Sequence, residues 1–164
     1  MKTNLLLISV GLASLMSLTG CKVDDILYDQ LNKGTLIAKI DGLSYTSVEV
    51  EARREPLFGT VAEGISIVGY AASNSSNPNI ALLIPAKAPG TFTLGTGSST
   101  VAAATYTDEN AHVALSISGT VTVSSISYKQ GGTVKGTFSF TAKDTPRNIT
   151  YVITEGVFEG KFKN

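Results

Sequence analysis

The chain begins with a continuous apolar segment, whereas the rest alternates between apolar and polar residues. Residues 5–18 are apolar apart from small residues, and Lys2 precedes them. Such a segment is too short for a helix that spans a bilayer, which needs about 20 residues. A positively charged start, a short apolar segment and small residues before a cleavage point are typical of a secretory signal peptide. The pattern therefore predicts a cleaved signal peptide over residues 1–20.

After residue 33 the chain follows the two-residue alternation that indicates half-buried strands, without a sustained helical period. Residues 112–123 and 133–142 alternate most regularly, and Gly131 and Gly132 between them permit a chain reversal. We therefore predict that the two segments pair as an antiparallel hairpin. The side chains predicted to face the core are Val113, Leu115, Ile117, Val121 and Val123 in the first segment and Val134, Phe138, Phe140 and Ala142 in the second.

Turn-forming residues divide this region into short segments. Asp41-Gly42 is typical of a hairpin turn, residues 73–79 of a polar turn, and Glu155-Gly156 of a β-bulge or bend. Regularly spaced short strands of this kind indicate an all-β sandwich or barrel. We predict an antiparallel β-sandwich or a partly closed barrel. Further strands are predicted over residues 35–40, 45–53, 65–71, 80–84, 90–94, 101–106, 149–154 and 157–162.

The end of the apolar segment, Leu18-Thr19-Gly20-Cys21, resembles the lipobox of bacterial lipoproteins. The resemblance implies that the Cys21 thiol receives a diacylglyceryl group, that cleavage follows Gly20, and that the new amino group can be acylated. Two or more acyl chains such as palmitate hold a protein stably on a membrane. We expect a lipid-anchored protein of the outer membrane in which residues 21–33 tether a single all-β domain, residues 34–164.

The first residues of the tether are relevant to the side of the membrane on which the domain lies. Lys22-Val23-Asp24-Asp25 resembles the short acidic signals that follow the cysteine in surface-exported lipoproteins of Bacteroidota. A plain solvated tether is the other interpretation. The sequence therefore leaves both a periplasmic and a surface-exposed location open.

The composition of the chain weighs against several classes of function. Lys plus Arg and Asp plus Glu both number 13, so the chain has no net charge to attract nucleic acid. One cysteine and one histidine exclude a disulfide framework, a thiolate metal cluster and a polyhistidine metal site. We expect no cofactor, no metal and no nucleic-acid partner. Tryptophan is absent, which weighs against a stacked sugar site, although Tyr45, Tyr70, Tyr106 and Tyr128 remain available.

The lone histidine offers one catalytic hypothesis. A Ser-His-Asp catalytic triad would need a carboxylate to orient His112. The acidic residues nearest to it in the sequence are Asp108 and Glu109, in the preceding loop. A solvated histidine at the start of a strand is the favoured interpretation. Oxygen-bearing side chains over residues 107–110 could also bind Ca²⁺, but their spacing favours a turn with Asx hydrogen bonding.

Two glutamates offer a second catalytic hypothesis. Glu49 and Glu51 share one strand face about 7 Å apart, a separation that suits glycosidic acid–base chemistry. Because Arg53 and Arg54 follow closely, a solvent-facing row of salt bridges is the favoured interpretation. Glu155 and Glu159 flank the predicted bulge, where Glu155 is expected to accept backbone hydrogen bonds. The opposite face of the strand predicted over residues 45–53, with Val48, Val50 and Ala52, is predicted to face the core.

Strand motifs give a family resemblance without an activity. The motifs Gly-Thr-Val-Thr-Val at residue 119, Gly-Thr-Phe-Ser-Phe at 136 and Ile-Thr-Glu-Gly-Val-Phe at 153 resemble a family of small Bacteroidota lipoproteins of unknown function. The resemblance implies a fold but no catalytic residue. We therefore expect a non-enzymatic binding or structural module whose loops over residues 55–63, 73–79 and 95–100 contact a partner. The alternatives are a small-ligand carrier with an apolar cavity lined by Phe92, Phe138 and Phe158, and an enzyme that uses Glu49/Glu51 or His112.

Overall fold

The computed structural model describes residues 34–56, 63–72, 75–95, 102–129 and 131–163. The predicted signal peptide, Cys21 and the tether lie outside these residues. So do residues 57–62, 73–74 and 96–100 of the three loops expected to contact a partner. In the described part of the chain, no helix has the length and hydropathy of a membrane span.

The described residues form one antiparallel sheet that curls into a half-barrel, which confirms the predicted all-β class. The strand order is β2-β1-β10-β9-β8-β7-β5-β4-β3, and β6 pairs with β8 beside this path. The strands are β1 (Thr35–Ile40), β2 (Leu43–Thr46), β3 (Glu49–Pro56), β4 (Glu63–Ala72), β5 (Ser75–Ile84), β6 (Gly90–Leu94), β7 (Ala103–Thr107), β8 (Val113–Ile126), β9 (Thr133–Asp144) and β10 (Ile149–Lys161).

Consecutive strands β2 and β3 occupy opposite edges of the sheet and thereby bring those edges together. The Ser47 backbone N–H donates to the Leu36 carbonyl at 2.8 Å, and the next N–H, that of Val48, donates to the Tyr70 carbonyl at 2.8 Å. Within two residues the chain thus changes its pairing partner from β1, next to one edge, to β4, next to the other. This change of partner is what curls the sheet.

The single strand predicted over residues 45–53 is therefore wrong, because the change of partner divides it. Val48, which was predicted to face the core, is 45% exposed, whereas Val50 and Ala52 are buried as expected. Ser47 is buried in place of Val48, and its Oγ accepts the Leu36 N–H at 2.9 Å. The sequence does not reveal this break, because Val48, Val50 and Ala52 alternate with polar residues as though all three lay on one face of a single strand.

The β8–β9 hairpin forms as predicted, and β9 and β10 supply three buried phenylalanines of the core. The inward side chains of β9 are buried along the whole predicted segment. Each of three inward phenylalanines lies opposite a glycine of the neighbouring strand, so the ring covers the space that a side chain would otherwise occupy. These pairs are Phe138 with Gly156, Phe158 with Gly136, and Phe140 with Gly119.

The predicted core face of β8 is wrong in its first half. Val113, Leu115 and Ile117 are 50%, 55% and 47% exposed, whereas Ala114 and Ser116 are buried. A shift in the pairing with β9 between Ser116 and Ser118 inserts an extra residue and reverses the side-chain parity. Beyond it the prediction holds, because Val121 and Val123 are buried. Small residues suit the inner face here, since the Tyr106 ring lies opposite Ala114 and the Tyr151 ring opposite Ala142.

The predicted turns have mixed outcomes. Asp41-Gly42 connects β1 to β2 as predicted, with both residues at positive φ. The bulge at Glu155-Gly156 is confirmed, and it lies within one continuous strand instead of dividing two. The polar turn predicted over residues 73–79 is wrong in its second part, because β5 already begins at Ser75. Asn79 pairs with Tyr70 on one side and Thr107 on the other, so ladder pairing overrides the local turn preference.

Candidate functional site

The paired glutamates form the row of salt bridges that was favoured over catalysis. Lys163 Nζ lies 3.2 Å from Glu49 Oε1 and 3.0 Å from Glu51 Oε1, and Arg53 donates to Glu51 Oε2 at 2.8 Å. The hydrogen bond from Lys163 lowers the pKa of Glu51 and outweighs its partial burial. A glycosidase acid would need a raised pKa, so the lowered pKa of Glu51 opposes that role for this residue.

The lone histidine belongs to a network of charged side chains at one end of the half-barrel. His112 Nδ1 lies 3.0 Å from Asp108 Oδ2, and Arg147 donates to the same oxygen at 2.9 Å. Arg147 Nε also donates to Asp144 Oδ2 at 2.6 Å, and Arg147 Nη2 donates to the Tyr151 hydroxyl at 3.3 Å. The network joins the β7–β8 loop to the β9–β10 turn.

Asp108 is the centre of this network, and its environment favours the ionised form. Burial opposes ionisation, but the His112 backbone and side chain, Arg147 and the Asn110 N–H all donate to the carboxylate. Together these hydrogen bonds lower the pKa of Asp108 to about 2. Hydrogen bonds from Arg147 likewise lower the pKa of Asp144.

The contacts of the network are those of a stabilising cluster of ion pairs and hydrogen bonds. Asp108 holds His112 as a triad carboxylate would, but in the described residues no serine or threonine hydroxyl contacts the ring. The favoured interpretation of the 107–110 loop is confirmed, because Asp108 Oδ1 accepts the Asn110 N–H at 2.9 Å in an Asx turn. Within the same described ranges, no three acidic, histidine or cysteine side chains converge as metal ligands.

We predict that Arg147→Met destabilises the protein at neutral pH and that this loss shrinks in acid. The folded pKa of Asp108, about 2, lies below the value of about 3.9 for an unfolded aspartate, so its contribution is complete above pH 4 and disappears towards pH 2. Chemical unfolding between pH 2 and 7 measures this. Arg53→Met, which removes a solvent-exposed arginine of the other ion-pair row, is the control and should have little effect. Parallel stability curves for wild type and Arg147→Met would contradict the assignment.

Tyrosines proposed as sugar platforms have structural partners instead. The Tyr45 hydroxyl donates to the Gly69 carbonyl at 2.6 Å, and burial raises the pKa of this phenol. The Tyr128 hydroxyl donates to the Ala86 carbonyl, and its ring stacks on Phe162. Tyr106 meets Tyr151 edge to face, with ring centroids 4.9 Å apart. Three of the four tyrosines therefore contribute to packing.

The three phenylalanines of the carrier hypothesis pack against the core. Phe138 and Phe158 are buried with ring centroids 6.3 Å apart, and Phe92 packs against the core from β6. A Cβ added at Gly156 would come within 2.6 Å of the Phe138 ring. Contacts this close leave no room for a ligand between these rings and the strands that they cover.

A groove of about 560 Å³ lies on the outer face of β1, β8, β9 and β10. Its walls carry the hydroxyls of Thr120, Thr122, Thr137 and Ser139, and the carboxylate of Glu155 lies at its edge. The sequence alone did not indicate this groove, because the strand parity of these residues identifies only a polar face. The signal available was Glu155-Gly156, where the bulge interrupts the regular face.

Comparisons with known proteins give a family and no activity. A family model described as a domain of unknown function, DUF6252, matches residues 32–160. Searches of curated proteins and of solved structures find no match. The expectation of a family of unknown function is confirmed at this level, while the lipobox and the bacterial group stay predictions. Because the match covers most of the sequence, the chain belongs to the DUF6252 family, a domain of unknown function.

Proposed function

We propose that this protein is a lipid-anchored lipoprotein of the cell envelope whose half-barrel serves as a non-catalytic binding or structural module. The observation that carries the anchor is the motif Leu18-Thr19-Gly20-Cys21, which ends a short apolar segment and contains the only cysteine. A diacylated or triacylated cysteine holds a protein stably on a membrane without a spanning helix. The domain would then be held at the outer membrane, facing either the periplasm or the exterior.

The use of the charged residues supports a non-catalytic role. Two carboxylates of the catalytic hypotheses, Glu51 and Asp108, are engaged by lysine or arginine and have lowered pKa values. A general acid or base works best with a pKa near the operating pH. These groups instead join neighbouring strands and loops, which is what a rigid scaffold requires.

The start of the described chain supports an orientation for the anchored domain. Gly34 and Thr35 lie beside Glu159 and Gly160, at the same end of the half-barrel as the β8–β9 hairpin. A tether of 12 residues, from Lys22 to Lys33, spans at most about 40 Å when extended. The hairpin end, where the tether joins the domain, would therefore lie within about 40 Å of the membrane.

Replacement of Cys21 tests the anchor. We expect the wild-type chain to fractionate with outer membranes and Cys21→Ser to be released, because the serine cannot receive the diacylglyceryl group. Globomycin, which blocks the lipoprotein signal peptidase, should cause unprocessed precursor to accumulate. Thr19→Ser, which keeps a small residue in the motif, is the control and should fractionate as wild type. Membrane association of Cys21→Ser, or processing that ignores globomycin, would contradict the proposal.

A further inference from the structure

The bulge in β10 holds one glutamate in a conformation that side chains rarely adopt. Phe140 pairs with Ile153 and Phe138 with Gly156, so two residues, Thr154 and Glu155, lie opposite Ser139 alone. Glu155 has a φ of 53°, in the left-handed region where glycine is favoured. Strained residues other than glycine concentrate at functional sites, so the surroundings of this carboxylate become informative.

The bulge directs the Glu155 carboxylate onto the outer face, at the edge of the groove. There its Oε1 accepts a hydrogen bond from Lys39 Nζ at 2.8 Å, while 67% of the side chain remains exposed. Lys39 therefore contacts one carboxylate oxygen, and most of the Glu155 side chain stays exposed beside the groove. A regular strand without the extra residue would not place an acidic group at this point.

The hydroxyls of the groove form a regular array. Thr120 lies opposite Ser139 and Thr122 opposite Thr137, and within each strand the two residues share the outer face. Neighbouring strands are about 4.8 Å apart, and two residues along a strand span about 6.7 Å. Four groups that can each donate and accept hydrogen bonds thus lie at the corners of a rectangle. The Thr91 hydroxyl, 3.0 Å from that of Thr122, extends one row onto β6.

The chemistry of the groove selects one class of ligand. Hydroxyls and a carboxylate suit a ligand that has many hydroxyls of its own, and hydrogen bonds to an ionised acceptor are the stronger ones. Ile37 and Val157, which are 40% and 44% exposed, add apolar surface for the C–H faces of such a ligand. Glu155 would repel an anion, and an apolar ligand would leave the hydroxyls without partners.

We infer that this outer-face groove binds a neutral oligosaccharide, with Glu155 and the hydroxyls of Thr120, Thr122, Thr137 and Ser139 as its polar contacts. Recognition rests on hydroxyl and carboxylate groups and needs no stacking tryptophan, which the chain lacks. The inference rests on the binding role proposed above and is independent of the lipid anchor.

Titration of the full-length chain tests the inference. The chain is purified in lauryldimethylamine oxide, since detergents with sugar headgroups would compete. Cellohexaose, maltohexaose, xylohexaose and mannohexaose are then titrated by calorimetry, with hexagalacturonate as the anionic control. We expect saturable binding of at least one neutral hexasaccharide and none of the uronate. Thr137→Val should weaken this binding about tenfold, whereas Thr150→Val, on β10 outside the groove, should leave it unchanged.

The strained glutamate provides a second, more specific test. Glu155→Gly should raise the melting temperature, because it relieves the positive φ, and should also weaken binding at least tenfold. Glu155→Gln keeps the backbone strain and the side-chain size, so it should weaken binding without the gain in stability. A Glu155→Gly variant that binds as tightly as wild type overturns the inference.

The remaining outcomes are equally decisive. Failure of all four hexasaccharides to bind, or equal weakening by Thr137→Val and Thr150→Val, overturns the inference. So does sedimentation that shows self-association abolished by Thr137→Val, because the face would then be a protein interface. Cys21-dependent membrane fractionation would survive each of these results, so failure here is distinguishable from failure of the anchor.

Discussion

Phe138→Asp is expected to leave the protein unfolded, whereas Thr137→Asp, one residue earlier, is expected to leave it folded. Phe138 is buried between Phe140 and Phe158, with ring centroids 6.0 and 6.3 Å away. Loss of a buried phenylalanine alone destabilises a protein by about 3–5 kcal/mol, and an unpaired buried carboxylate adds a further loss. The sum is comparable to the whole stability of a typical domain, about 5–15 kcal/mol.

Thr137 faces outward on the same strand, so its replacement tests the side-chain parity directly. Aspartate has a lower strand preference than threonine, but at this position it stays hydrated. We therefore expect the free energy of unfolding to fall by less than about 1 kcal/mol. Circular dichroism during thermal unfolding distinguishes the two variants. A cooperative melting curve for Phe138→Asp close to that of wild type would show that the face assignment of β9 is wrong.

Gly136→Ala is expected to destabilise the protein by about 3 kcal/mol, although alanine is otherwise the better strand residue. A Cβ at this position would lie 2.5 Å from the Phe158 ring and would also contact the Thr122 backbone carbonyl. Neither neighbour can move away easily, because the ring is fully buried and the carbonyl belongs to the β8–β9 ladder.

Gly90→Ala is the matched control for this prediction. A Cβ at Gly90 would meet only the Phe92 ring, at 3.6 Å, which is an ordinary contact. We expect this variant to be as stable as wild type or up to about 1 kcal/mol more stable. Urea unfolding of both variants gives the comparison. Equal stabilities for the two alanine variants would show that the close approach of Phe158 to Gly136 does not constrain the fold.

The hairpin of β8 and β9 was predictable because local signals agree there. The glycines at the turn and the strict alternation of β9 both require an antiparallel reversal with Phe138 and Phe140 inside. The first half of β8 was not predictable in the same way. Its apolar residues alternate as though Leu115 faced the core, but the bulge after Ser116 reverses the face, and an extra residue leaves no mark in the alternation.

The contacts of the polar network were also beyond sequence reasoning. The sequence indicated His112 and Asp108 together because they are close along the chain, but Arg147 is 39 residues from Asp108. Only the pairing of β9 with β8 on one side and with β10 on the other brings the β9–β10 turn beside the β7–β8 loop. The outer groove depends in the same way on register, since Thr120 and Ser139 become neighbours only across the ladder.

The lipid attachment at Cys21 is most directly tested by intact mass spectrometry of the protein extracted from membranes. The account predicts a chain that begins at Cys21, with a mass increased by a diacylglyceryl group and, after full processing, by one further acyl chain. A chain that retains residues 1–20, or one that begins elsewhere and carries no lipid, would contradict it.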